Sequence, residues 1–306
     1  MLPEEQQNNS RYFYELASAR FGFAWEKLQD VQAELRTMSP ESRELEELAS
    51  ELGELSPYSE MFPFVLERGG DFAAYVALCN YGGEAFLEGP LLQPELAAEA
   101  AYSLVEKAVE EAQRYGYGFL EAFTDEENAR AQEVLRANDF EPFRTTYIYE
   151  FSRQDTLKPL SPSAFRFDLS GEITASDYRN LYRETSDNWS TRLAWSDEEL
   201  TERFAEPDVR LMLAYQGDEV VGHLELELIP EEGYAEIAYF GVLPHARGQK
   251  LGRALLLRGL HEALGDGSIS LVLARAHDDE RAASFALEKT GFHLSHGVVA
   301  WTLELG

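Results

Sequence analysis

Apolar side chains recur along this chain in two rhythms, every second residue and every third or fourth, and the switches between them predict its elements. In the second half, 209–216 and 220–228 read as strands joined by a turn at Gly217, and Tyr234–Val242 reads as a third strand. A helix over 252–264, a buried strand over 269–276, a helix over 278–292 and a strand over 298–305 follow. Acids open the second of these helices and Gly291 stops it. The first half repeats the order: strands 72–79 and 84–92, a helix 94–116, a strand 118–124, a helix 127–140 and a strand 143–151. The stretch 94–140 thus mirrors 244–292, two copies of one plan and not a solenoid. Further helical residues are expected at 25–35 and 41–52, the latter charged nearly all round and so a solvated face.

Between the copies lies "QDTLKPLSPS" (154–163), with two prolines and no apolar period, which predicts domains over 1–155 and 163–306. A length of 306 residues suits two domains. No apolar run is long enough to span a membrane, and the acidic start "MLPEEQQNNS" has no signal-peptide character. Cys79 is the single cysteine, which excludes an internal disulfide and suits a reducing cytoplasm. A net charge of −30 argues against nucleic acid as a partner. The acid is unevenly spread. Residues 1–155 hold 31 acidic and 12 basic side chains, whereas 241–306 hold seven of each, so an anionic ligand is expected to approach the C-terminal stretch.

That neutral stretch holds "VLPHARGQKLGRALL" (242–256), a strand end, a loop and a helix start, where free backbone N–H groups meet anions. It lacks both Gly-x-Gly-x-x-Gly and the Gly-Lys-Ser/Thr of a triphosphate loop. Val242, Pro244 and "RGQKLGRALL" instead resemble the acyl-CoA loop of the GNAT-type N-acetyltransferases, and "AASFALEKTGF" (282–292) resembles the helix that follows their fifth strand. The resemblance covers about 165–306 and extends faintly to the first half through Asn128, Ala131 and Phe140. It implies an α/β fold with a mixed, largely antiparallel sheet flanked by helices, as two tandem GNAT-like domains. It also implies acetyl-CoA as cosubstrate without a metal, held by Phe240, Val242, Arg247, Gly248, Gln249, Lys250, Leu251, Gly252 and Arg253, the loop amides wrapping the pyrophosphate. On the residues alone, Arg247 could be a surface cation and Gly252 a helix-packing residue. Two positions depart from the family pattern. Lys250 stands where glycine is commonest, and Leu287 where many relatives carry a tyrosine that protonates the leaving thiolate. At the equivalent place the first half has "PELAAEAAY" (94–102), with Glu95 and Glu99 and no glycine, so it is expected to be a degenerate, structural copy.

Amine acetylation needs a base. Glu236, on the strand leading into the loop, is the first candidate. Glu225 and Glu227 share one face of the preceding strand, so both or neither face the cleft. His277 is placed to line a cleft, His245 on the loop surface, and Tyr239 in the core or the pantetheine wall. Two functions are expected to compete: an N-acetyltransferase acting directly on a primary amine of a small molecule or peptide through its second domain, and a catalytically silent acyl-CoA-binding or partner-binding protein of the same fold. The acidic field suits a cationic amine, and the chain is expected to act as a monomer or homodimer away from membranes. Mycothiol synthases are among the tandem relatives, but no residue here marks the chain as one of them.

Overall fold

The computed structural model describes residues 60–68, 71–81, 84–92, 96–169, 173–185, 191–193 and 195–306. The helices expected at 25–35 and 41–52 lie outside the described residues, as do Pro94 and Glu95. In chain order the described strands are β1 (Glu60–Arg68), β2 (Asp71–Tyr81), β3 (Glu84–Leu92), β4 (Phe119–Asp125), β5 (Glu141–Ser152), β6 (Arg166–Asp168), β7 (Val209–Gln216), β8 (Glu219–Ile229), β9 (Tyr234–Val242), β10 (Leu271–His277) and β11 (His293–Glu304). The helices are α1 (Tyr102–Tyr115), α2 (Ala129–Ala137), α3 (Ala175–Thr185), α4 (Asp197–Ala205), α5 (Leu251–Gly265) and α6 (Arg281–Thr290). The mixed, largely antiparallel sheets flanked by helices are those expected.

Two compact units form, and they do not follow the order of the sequence. Unit 1 is Met1–Thr145 with Gly297–Gly306, and unit 2 is Thr146–His296. The split expected at 155 and 163 is therefore displaced at both ends. Residues 146–152 pair with β10 inside unit 2, and residues 298–304 pair with β4 inside unit 1. The physical reason is that a terminal strand is placed by the edge that accepts it, and its own sequence does not name that edge.

In unit 1 the order β1-β2-β3-β4-β11 is antiparallel except for the parallel β3–β4 pair. Helix α1 buries Leu104, Val105, Ala108 and Ala112 against this sheet and ends at Gly116, whose φ of 80° suits glycine. The returning C-terminal strand is anchored by Trp301. That side chain is fully buried, its Nε1 donates to Thr124 Oγ1 at 2.8 Å, and the Arg136 guanidinium lies 4.8 Å from its ring centre. Truncating such a residue costs roughly 3–5 kcal/mol. The face of β2 and β3 away from α1 carries Cys79 and Glu88. Glu88 is 8% exposed, and its hydrogen-bond contact is the Cys79 thiol, 3.8 Å from Oε2. Burial, with no cation beside it among the described residues, pushes its carboxyl up to about 7, the thiol contact lowering it slightly.

In unit 2 the order is β5-β10-β9-β8-β7-β6, antiparallel except for β9–β10. Helices α3 and α4 cover one face and α5 and α6 the other. Tyr178 and Thr185 of α3 bond to Glu225 and His223, whereas α5 packs its Gly259 against Leu224, which points the opposite way along β8. Helix α4 starts at a capping box, Ser196 and Glu199 each satisfying the other's backbone N–H. The sequence reading missed α3, α4, β1 and the short β6. The buried stripe of α3, Tyr178-Leu181-Tyr182-Thr185, is half hydroxylated and gives a weak apolar signal. The Ser-x-x-Glu box of α4 was a legible one.

Candidate active site

Two parallel strands set up the site. β9 and β10 pair only from Tyr234 with Leu271 to Ile237 with Ala274, although β9 runs on to Val242 and β10 to His277. Opposite β8 the register slips, Glu225 facing Tyr239 while Leu226 faces Ile237, so Ala238 is an extra, bulged residue. The bulge bends β9 away from β10 where their pairing stops. Beyond that point the two strands no longer pair with each other.

The diverging end of β9 leads through a 3-10 turn (Pro244–Ala246) into α5. Gly248 has a φ of 77° and Lys250, the N-cap, a φ of 65°. Lysine thus adopts the left-handed conformation that glycine commonly supplies, at a cost of about 1–2 kcal/mol. The first amide with an acceptor in this turn of helix is that of Ala254, on Lys250 O at 3.1 Å. From Gly248 to Arg253 no amide has a backbone acceptor among the described residues. No side chain caps the helix, so its positive end is open.

The side chains of the loop divide into props and open positions. Arg247 Nε donates to Val242 O at 2.9 Å and Nη2 to Thr185 O at 3.5 Å, which ties the loop to the ends of β9 and α3. Arg247 is therefore more than a surface cation. Leu251 is buried in the core and offers a ligand only its amide. Gln249 and Lys250 are exposed, while Phe240, Val242 and Arg253 are half-buried. A Cβ added at Gly252 would meet only Val242 Cγ2, at 3.8 Å. Packing does not demand glycine there. Gly241 is different, since a Cβ on it would collide with Thr185.

On the α3/α4 face the register aligns His223, Glu225 and Glu227 of β8 with Gly241, Tyr239 and Glu236 of β9. The three carboxylates expected from the sequence are brought to one face, with different partners. Glu225, fully buried, accepts from Arg192 Nε at 3.3 Å and Nη2 at 2.5 Å, from Arg203 Nε at 3.2 Å and from the Tyr178 hydroxyl at 3.2 Å. Burial would raise its pKa, but the two guanidinium groups more than offset that and hold the carboxyl below its usual range. With four donors on two oxygens it has no room for an amine proton. Glu227 accepts from Arg203 Nη2 at 2.8 Å and its side chain is 28% exposed. Glu236 is buried and ion-paired with Arg275 of β10.

The histidines are held firmly. The Thr185 hydroxyl donates to Leu181 O at 2.7 Å, so its oxygen accepts from His223 Nε2 at 2.9 Å, leaving the proton of that ring on Nε2. Burial lowers the His223 pKa to about 4, with Glu225 opposing, and the ring is neutral at physiological pH. His277 is buried at the end of β10 with Nδ1 2.9 Å from Thr146 Oγ1. His245 is exposed, 3.6 Å from Glu219. Leu287 is fully buried in α6. Sequence reasoning did not find Arg192, Arg203, Tyr178 or His223, because three of the four come from the segments that it left unassigned.

At the start of the corresponding helix in unit 1, a 3-10 turn (Ala98–Ala101) runs into α1 with no left-handed residue and with Glu99 in its first turn. No anion cradle forms there among the described residues. Nor is any described helix long and apolar enough to cross a membrane.

Residues 176–292 match the family model described as Acetyltransferase (GNAT) family. A mycothiol acetyltransferase of Mycobacteroides abscessus is 38% identical over 104 residues, which are 32% of this chain and 35% of that protein. The chain thus spans about a third of the length of this curated relative. Among solved structures, a GCN5-related N-acetyltransferase from Sphaerobacter thermophilus superposes with a TM-score of 0.64 at 15% identity, covering 90% of this chain and 89% of that one. A tandem GNAT protein from the clavulanic acid biosynthesis pathway superposes with a TM-score of 0.57 at 20% identity, covering 82% and 84%. These likenesses establish the fold.

Proposed function

We propose that unit 2, whose residues 176–292 match the GNAT acetyltransferase family model, transfers an acetyl group from acetyl-CoA directly to a primary amine. The observation that carries this reading is the parting of β9 from β10 above an uncapped helix start with a run of unpaired amides. Helix ends of that kind bind phosphate groups, and the loop amides from Gly248 to Arg253 would hold the pyrophosphate. The open space at Gly252 supports the same role, since a side chain there would stand over the amides without disturbing the fold. Unit 1, with Glu99 at its helix start and no cradle among its described residues, serves structure.

In the transfer, the amine nitrogen bonds to the thioester carbonyl carbon, the carbon–sulfur bond breaks, and the amine loses a proton. Glu236 takes that proton, directly or through water, being the carboxylate on β9 closest in sequence to the point where the strands part. Glu227, partly exposed, is the second choice, and Glu225 holds the face together. Leu287 has no proton to give, so the thiolate draws its own from water. The test is release of free thiol from acetyl-CoA with a panel of primary amines. Amine-dependent release supports the enzyme. Binding of acetyl-CoA without release from any amine would favour the silent acyl-CoA-binding protein.

A further inference from the structure

Buried polar atoms nearly always find a partner, so an orphaned one calls for an explanation. Two lie together on the α3/α4 face of unit 2. Among the described residues, the buried Nη1 of Arg192, a side chain 2% exposed, has no hydrogen-bond partner, and the buried Nε1 of Trp195 has none either. The Arg192 guanidinium sits 3.9 Å from the centre of the Trp195 ring and 4.9 Å from that of Tyr239, the residue that follows the bulge in β9. Both orphaned atoms are donors only. They ask for an oxygen.

The ion pairs around them leave one arm of the Arg192 guanidinium unused. Arg203 has three carboxylates, Glu206 and Glu227 at 2.8 Å and Glu225 at 3.2 Å. Arg192 has only Glu225 among the described residues, and shares it. Glu225 thus bonds to both guanidinium groups, Glu206 and Glu227 bond to Arg203, and Nη1 of Arg192 is reached by none of the three. A buried donor without an acceptor is costly, and an incoming carboxylate would supply one. Arginine presents its N–H groups in a flat fork suited to that shape.

We propose that Arg192 Nη1 and Trp195 Nε1 hold a carboxylate of the acyl-accepting amine, so that the substrates of unit 2 are amino acids or other amines bearing a carboxylate. The assignment rests on the acetyltransferase reading of unit 2. It replaces the cationic amine expected from the whole-chain charge, because both orphaned groups are donors and cannot accept from an ammonium group. Both donors are closed to solvent in the free protein, so the carboxylate enters by parting the Arg192–Trp195 stack. A buried water is the competing occupant.

The test compares amines that differ only by the carboxylate, phenylalanine with phenethylamine and leucine with isoamylamine, by thiol release from acetyl-CoA. The carboxylate-bearing member is expected to show about tenfold or greater kcat/KM, the yield of one charge-assisted pair. Trp195→Phe keeps a ring beside the guanidinium and removes only the N–H. It should raise KM for phenylalanine about fivefold or more, leave kcat unchanged and not affect phenethylamine. Arg192→Lys should lose more, but Trp195→Phe decides the matter if that variant folds poorly. Equal or better turnover of the decarboxylated amines, or an equal effect of Trp195→Phe on both, would overturn the assignment in favour of the water. If no amine releases thiol, the enzyme reading fails separately, and thermal stabilisation by the same pairs reads the site without turnover. Stabilisation by phenylalanine over phenethylamine that Trp195→Phe abolishes would uphold the carboxylate site, and its absence would sink it.

Discussion

Glu88→Gln should make unit 1 more stable at alkaline pH relative to the wild type, with an effect that vanishes in acid. Burial raises the Glu88 carboxyl from 4.5 to about 7, so the folded unit favours its protonated form. The sign follows from linkage. The wild-type carboxyl carries no penalty below pH 4.5, loses stability as the pH rises through 7, and bears the full cost above that. A displacement of that size corresponds to about 3 kcal/mol, of which about 2.5 kcal/mol develops between pH 5 and pH 9. Glutamine has similar shape and no charge, so its stability curve lacks this slope. Cys79 supplies the assay, since it is the only thiol in the chain, is buried and belongs to unit 1. Its labelling by a thiol reagent across a urea gradient reports the unfolding of that unit alone. The difference between variant and wild type should grow by about 2.5 kcal/mol from pH 5 to pH 9. Parallel pH dependences for the two proteins would refute the reasoning, and would mean that the buried carboxyl has a counter-charge or reaches water.

Lys250→Gly should stabilise unit 2 by about 0.5–1 kcal/mol in urea denaturation, relief of the left-handed strain outweighing the added freedom of the unfolded chain, and should leave coenzyme A binding intact. Glu225→Gln leaves Arg192 and Arg203 buried without their shared carboxylate, and should cost about 3–5 kcal/mol in the same measurement. In the wild type the Glu225 contribution is present above pH 4.5 and is lost as the pH falls through its lowered folded value, which acid denaturation of wild type and variant will show. Glu236→Gln should reduce turnover at neutral pH with little change in coenzyme A affinity, part of the rate returning at higher pH as the amine deprotonates unaided. An unchanged pH–rate profile would pass the role to Glu227 or to water.

The strands and helices around the loop were legible because their signals are local. Alternation marks β7 to β9, Gly291 ends α6, and the glycines and arginine of 247–252 announce a turn that opens a helix. The exchange of terminal strands was illegible. Trp301 reads as a core residue, but nothing in its neighbourhood says that its hydrogen-bond partner is Thr124. The α3/α4 face was hidden for another reason. Its buried residues are tyrosine, threonine, histidine, arginine and glutamate, which count as polar in any periodic reading and are buried only because they satisfy one another. Lys250 gave a partial signal. The sequence flagged it as a departure, and the structure keeps the glycine-like conformation with the lysine in place.

Calorimetric titration of coenzyme A into the intact chain tests for a single coenzyme A site at the start of α5. Gly252→Glu is the decisive variant, because packing leaves space for a Cβ there while a carboxylate over the loop amides would repel the pyrophosphate. One tight site is expected in the wild type and none in the variant, with thermal stability nearly unchanged. Two equal sites, or undiminished binding in Gly252→Glu, would contradict it.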